Sequence, residues 1–229
     1  MKERSCARRR LAAGTTTVLC AVALGLAGAA NAEPGTPFPA DQVGILPVAL
    51  ADLPERAGLN PENEPSVDTE PINPTWWPKG VPPGSWCAVL GGATETVFDP
   101  APISFRRVRY TGWSNAMLKQ EIGVYPQPAP AAKVTQRIGK LLTDCRNSGS
   151  SVLMTDSGTQ SLTDLTVTPA AVSWRVTNSR EARPDLTTQS HYELRSVDNV
   201  VIAVMNHQMG STNIAAGVAE IVAARAARS

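Results

Sequence analysis

Residues 188–206, TQSHYELRSVDNVVIAVMN, decide how this chain folds. Thr188 to Arg195 is rich in Thr, Tyr and other strand formers. Val200-Val201-Ile202-Ala203-Val204 is a continuous apolar run of the kind a central strand shows. Between them, Asp198-Asn199 is turn chemistry, because short polar side chains tolerate the backbone that a tight reversal needs. The stretch therefore reads as a hairpin, and it feeds the last helix of the chain. In that helix Ile214, Val218, Ile221 and Val222 share a face, Ser211 or Thr212 can cap the start, and Arg225 and Arg228 sit where the helix dipole favours cations.

Upstream of the hairpin, Ser104 to Trp113 alternates, with Val108 and Tyr110 on one side and Arg107 and Arg109 on the other. Leu118 to Tyr125, Ser151 to Thr155, Ser161 to Thr168 and Ala171 to Thr177 are further strand candidates. One helix interrupts them. Ala131, Val134, Ile138, Leu141, Leu142 and Cys145 recur at intervals of three and four, after Pro126, Pro128 and Pro130 and before Gly149. Two strands, a helix, several strands and a helix in that order predict an α+β fold, an antiparallel sheet with two main helices packed on one side.

The chain opens on Lys2, Arg4, Arg8, Arg9 and Arg10, an uncharged run from Leu11 to Ala30, and Ala30-Asn31-Ala32. A basic start, an apolar stretch and a small-residue cleavage site make residues 1–32 read as a signal peptide. The run is rich in Ala, Gly and Thr, whose transfer energy is modest, so cleavage is favoured over a retained membrane anchor. After cleavage 16 Lys or Arg face 19 Asp or Glu, a net of −3. That balance argues against a nucleic-acid partner, and no second apolar run approaches spanning length, so the mature chain is not expected to be membrane-embedded.

Residues 33–75 hold eight acids against Arg56 alone, with nine prolines. Prolines that dense remove backbone donors and discourage helix, so an acidic, largely extended tail is expected, ahead of a domain over residues 76–229. Within it Val43 to Leu53 is apolar enough to dock on the domain, as a short helix started after Pro47. The segment is either a solvated spacer or an arm that folds back on basic groups of the core.

Cys6 and Cys20 leave with the signal, and Cys87 and Cys145 remain. An even pair in an oxidising compartment reads most simply as a disulfide. Closing a loop of that length restricts the unfolded chain by roughly 4 kcal/mol on the entropic account. Two distant cysteines with only His191 and His207 for company match no metal spacing, and there is no C-x-x-C redox pair, so neither metal nor cofactor is expected.

With these features the sequence resembles the extracellular sensor domains of the PknH_C-like family, found in a mycobacterial serine/threonine kinase and in secreted or lipidated actinobacterial proteins. The residues that carry the resemblance are Cys87, the passage from Val124-Tyr125-Pro126 to Ala131-Ala132, Cys145 closing that helix, and Asp198 to Val204 ahead of an Ala-rich last helix. It covers residues 76–229. The resemblance implies a noncatalytic envelope module that binds an unknown ligand, a small molecule, glycan, lipid or peptide, in a cleft between sheet and helices. Family members usually carry a second cystine across the last hairpin. Here Ser190 and His207 stand in those places, and with Asp198-Asn199 as the turn, pairing arithmetic sets Ser190 opposite His207.

Candidate chemistry is sparse. A nucleophilic triad needs a base within reach of a hydroxyl, and the bases on offer are His191 and His207. Ser190, His191, Asp198 and His207 can be drawn as a set, which leaves a small secreted hydrolase as the alternative, but no G-x-S-x-G turn is present. A purely structural envelope protein is the third reading. The ligand-binding candidates are Trp76, Trp77, Trp86 and Trp113, whose rings either cover the core or line a groove, and Arg107 and Arg109, within the densest basic cluster of the mature chain.

Overall fold

The computed structural model describes residues 36–53, 58–71, 86–91, 97–148, 152–155, 158–180, 183–207 and 213–228. All of these fall in the unit spanning residues 35–229. Eight antiparallel strands form one sheet: β1 (Ser66–Asp68), β2 (Ser104–Thr111), β3 (Met117–Val124), β4 (Val152–Thr155), β5 (Gly158–Val167), β6 (Ala171–Arg180), β7 (Arg183–Val197) and β8 (Val200–His207). Their order across the sheet is β1-β2-β3-β8-β7-β6-β5-β4. The last strand in sequence is therefore central, as its unbroken apolar run demands. Helix α1 (Pro128–Asn147) crosses from β3 to β4, and α2 (Ala215–Ala226) follows β8.

The hairpin has the expected turn. Asp198 takes a left-handed φ of 48°, which Asp tolerates, and the strands pair Val197 with Val200 through to Ser190 with His207. The expectation of both helices on one side is corrected. Along β8, Val200, Ile202 and Val204 pack with α2, whereas Val201 and Met205 pack with α1. Successive strand residues point to opposite faces, so the two helices lie on opposite faces of the sheet. The physical reason is β8 itself: a strand apolar on both sides needs a cover on both.

On the α1 face, Ala131, Val134, Ile138, Leu142 and Cys145 form the buried stripe. Gly139 lets the helix approach the β5–β6 corner, since a Cβ there would stand 2.8 Å from Val167 Cγ1 and 3.2 Å from Val172 Cγ2. A disulfide joins Cys145 to Cys87, which lies in a 3-10 turn (Trp86–Gly91) packed with α1. On the other face α2 buries Ala215, Val218, Ala219, Val222 and Ala226. Ser211 and Thr212 lie outside the described residues. The first amide of α2, at Ala215, donates to the side-chain oxygens of Asn206 and Asn213, 3.1 Å each.

The boundary expected at residue 75 does not mark where packing begins. Phe38, Val43, Leu46, Val48, Leu53 and Leu59 belong to the core beneath α2, and β1 is a strand of the sheet. Residues 36–53 form a strap of two 3-10 turns, Ala40–Ile45 and Leu50–Asp52, the second following Pro47. The acids of this region do meet basic groups: Asp68 pairs with Arg107 at 2.6 Å and Asp52 with Arg225 at 3.5 Å. Its prolines kept it out of α-helix, but its apolar side chains gave it something to bury.

Candidate functional site

Residues paired directly across antiparallel strands share a face, so the register lays out the α1 face in rows. The middle row runs Arg109, Lys119, Met205, Tyr192, Trp174, Leu165 from β2 to β5. On one side of it lie Arg107, Glu121, Ala203, Leu194 and Val172, the last two beneath α1. On the other lie Met117, His207, Ser190 and Val176. The face thus grades from cations over β2 and β3 to aromatic rings over β7 and β6.

At the aromatic end Trp174 and Tyr192 stack, with centroids 4.8 Å apart and planes 3° from parallel. Trp174 is only 4% exposed and its indole Nε1 has no hydrogen-bond partner. A buried donor left unmade costs about 1–3 kcal/mol. Burial pushes the Tyr192 phenol up to about 12, with a Ser190 hydrogen bond pulling it down and the Glu121 charge pushing it further up. Ser190 Oγ also meets His207 Nδ1 at 2.7 Å, and burial lowers the His207 pKa. At the cationic end Glu121 is 3% exposed and lies 3.2 Å from Lys119 and 3.7 Å from Arg107, which in turn pairs with Asp68. A carboxylate so buried is tolerable because cations flank it.

The sequence candidates are scattered. Trp76 and Trp77 lie outside the described residues, as does the side chain of Trp86. Trp113 is 68% exposed on a turn at the end of β2, where Ser114 and Asn115 both have left-handed φ. Arg107 is already engaged by two carboxylates, and exposed Arg109 donates to Ser66 Oγ at 3.2 Å. The set drawn for catalysis separates. Ser190 and His207 meet, His191 points to the opposite face beside Arg175 and Asp164, and Asp198 sits in the turn. Burial lowers the His191 pKa, Arg175 lowers it further and Asp164 opposes them. Among the described residues no group of three His, Cys, Asp or Glu could hold a metal ion.

Sequence reading missed Trp174, Tyr192 and Glu121 as members of one surface. Trp174 alternates with Val172 and Val176, a signal that sets the indole on an apolar face, but which strand lies beside it is not legible without the register.

A disulfide-closed α+β domain, one antiparallel sheet with a helix on each face, is the class these features define. The sequence model of the PknH_C family, described as the PknH-like extracellular domain, matches residues 38–228. The chain belongs to this family of extracellular domains, and the match takes in most of the strap as well as residues 76–228. The crystal structure of the extracellular domain of PknH from Mycobacterium tuberculosis has the same fold: TM-score 0.65 at 12% identity, covering 85% of this chain and 99% of that one. No curated protein matches the sequence. Family membership places the domain outside the cytoplasm. Among the described residues no helix is long and apolar enough to cross a membrane.

Proposed function

We propose that the protein is a noncatalytic sensor or ligand-binding module of an actinobacterial cell envelope, exported through residues 1–32, and that the α1 face of its sheet receives the ligand. The observation that carries this reading is the buried, unpartnered Nε1–H of Trp174, held rigid by its stack on Tyr192. A donor in that state gains a hydrogen bond from an acceptor-bearing ligand that displaces the side chains closing over the indole, and gives up no existing bond in doing so. Lys119 and Arg109 at the other end of the row suit a ligand that also carries negative charge.

A thermal-shift screen of the mature chain against envelope glycans, lipids and peptides tests this. A ligand at a hundred times its Kd adds about 2.7 kcal/mol, a rise in Tm of about 5–10 °C for a unit of this size. Trp174→Phe keeps the stacked ring and removes the donor, so the rise should shrink in that variant. No shift with any compound, or the same shift in both proteins, counts against the proposal.

The hydrolase alternative has one contact in its favour, the 2.7 Å approach of Ser190 Oγ to His207 Nδ1. Among the described residues it lacks an acid to orient the imidazole. A serine-directed phosphonylating probe should leave Ser190 unlabelled; labelling abolished by Ser190→Ala would move the reading to an enzyme.

A further inference from the structure

The strap is held in a way that its sequence does not suggest. Two buried carboxamides grip its backbone, each using both donor and acceptor. Asn199 Oδ1 accepts from Phe38 N at 2.7 Å while its Nδ2 donates to Phe38 O at 3.1 Å. Ten residues on, Gln120 Oε1 accepts from Val48 N at 2.8 Å while its Nε2 donates to Val48 O at 2.9 Å. A primary amide carries the same donor and acceptor as a peptide unit, so each clamp imitates one rung of a β-ladder. Tyr110 Oη donates to Val48 O at 3.2 Å, and Arg225 donates to the carbonyls of Leu46 and Pro47.

Along the strap the groove takes Phe38, Val43, Leu46, Val48 and Leu53, all buried, while Asp41, Gln42, Gly44 and Ile45 face outward. Within the strap, hydrogen bonds from Gln42 N to Pro39 O, Leu46 N to Val43 O, Asp52 N to Ala49 O and Leu53 N to Leu50 O close 3-10 turns. A segment this short, with no interior of its own, has no independent reason to keep that shape. Its order comes from the groove.

We propose that the α2 face of the sheet is a peptide-binding groove that reads main-chain groups at two fixed points, with residues 36–53 as its resident ligand, exchangeable for the same segment supplied in trans. Exchange conserves every contact, because the incoming segment meets the same Asn199, Gln120, Tyr110 and Arg225. That is the condition under which swapping an element between copies is cheap. The groove lies on the face opposite Trp174 and Tyr192, so the proposal stands apart from the ligand reading above.

The test uses the mature chain with residues 54–57 replaced by a protease recognition sequence, so that cleavage frees the strap covalently while leaving every residue present. A fluorescent peptide of residues 33–53 should then enter the cleaved protein up to one per chain, expelling the resident strap. Methylating the peptide nitrogen of Phe38 or of Val48 removes one clamped donor without touching the folded protein, and should weaken uptake about tenfold or more. Ile45→Ala in the peptide, at a site 62% exposed, should leave uptake unchanged. A folded, cleaved chain that takes up no peptide overturns the proposal, as do methylated peptides that bind like the parent. Should cleavage unfold the protein, hydrogen exchange on the uncut chain decides: the amides of Phe38 and Val48 must exchange through a local opening, faster than Ile202 in β8, and exchange only by global unfolding rules the groove out.

Discussion

Replacing Asn199 by Ala tests whether the hairpin turn is the point where three distant parts of the chain are tied together. The side chain accepts from Phe38 N and donates to Phe38 O and Tyr125 O, the last at 2.8 Å, and it is 2% exposed. Alanine removes all three bonds while leaving the backbone bond from Tyr125 N to Asn199 O, 2.8 Å, in place. At about 1 kcal/mol net per bond, the loss is about 3 kcal/mol, and more where a stranded Phe38 N–H finds no water. For a unit of this size that is a drop in Tm of about 6–12 °C. Urea denaturation is the assay, because an unchanged m-value shows that the loss is one of stability and not of compactness. Asn199→Asp should be worse than Ala at neutral pH, since it sets a carboxylate against two carbonyl oxygens. A loss below about 1 kcal/mol for the alanine variant, or hydrogen exchange at Phe38 that does not change, would refute the reasoning.

Three further outcomes are expected. Thiol titration of the unreduced mature protein should find no free cysteine, and Cys145→Ser should cost roughly 4 kcal/mol by chemical denaturation. The double variant Ser190→Cys, His207→Cys should form a second bridge across paired neighbours on β7 and β8; the enclosed loop is short, so the gain is about 3 kcal/mol, read as a rise in Tm lost on reduction. His191 and His207 both have folded pKa values below 6.5, so below that pH the unfolded chain binds more protons than the folded one. Stability should therefore fall as pH drops through 6.5, and a Tm that stays flat from neutral pH down to 5 in the parent, or the same slope in a His191→Gln, His207→Gln variant, would contradict this.

Much of the sheet was legible because its signals are local. The turn residues Asp198 and Asn199 fix which residues of the hairpin face one another, and Ser190 does meet His207 across it. The stripe from Ala131 to Cys145 marks α1 at helical spacing, and the unbroken run at Val200 marks the central strand. That same run also implies a cover on each face of the sheet, since a strand apolar on both sides cannot be covered from one; which helix takes which face depends on the tertiary packing. The site was far less legible. Trp174, Tyr192, Lys119 and Glu121 become one row only when β3, β8, β7 and β6 lie in that order, and strand order is a property of the whole sheet.

Composition, periodicity and turn chemistry thus determined the strands, the helices, the last hairpin and the choice of Cys87 and Cys145 as partners, because each depends on residues near one another in sequence or on a pair with no rival. Tertiary structure alone decided that residues 36–53 are part of the domain. The groups Asn199 and Gln120 hold there are the N–H and C=O of Phe38 and Val48, atoms that nearly every residue carries, so nothing in the side chains of an acidic, proline-rich segment could announce them.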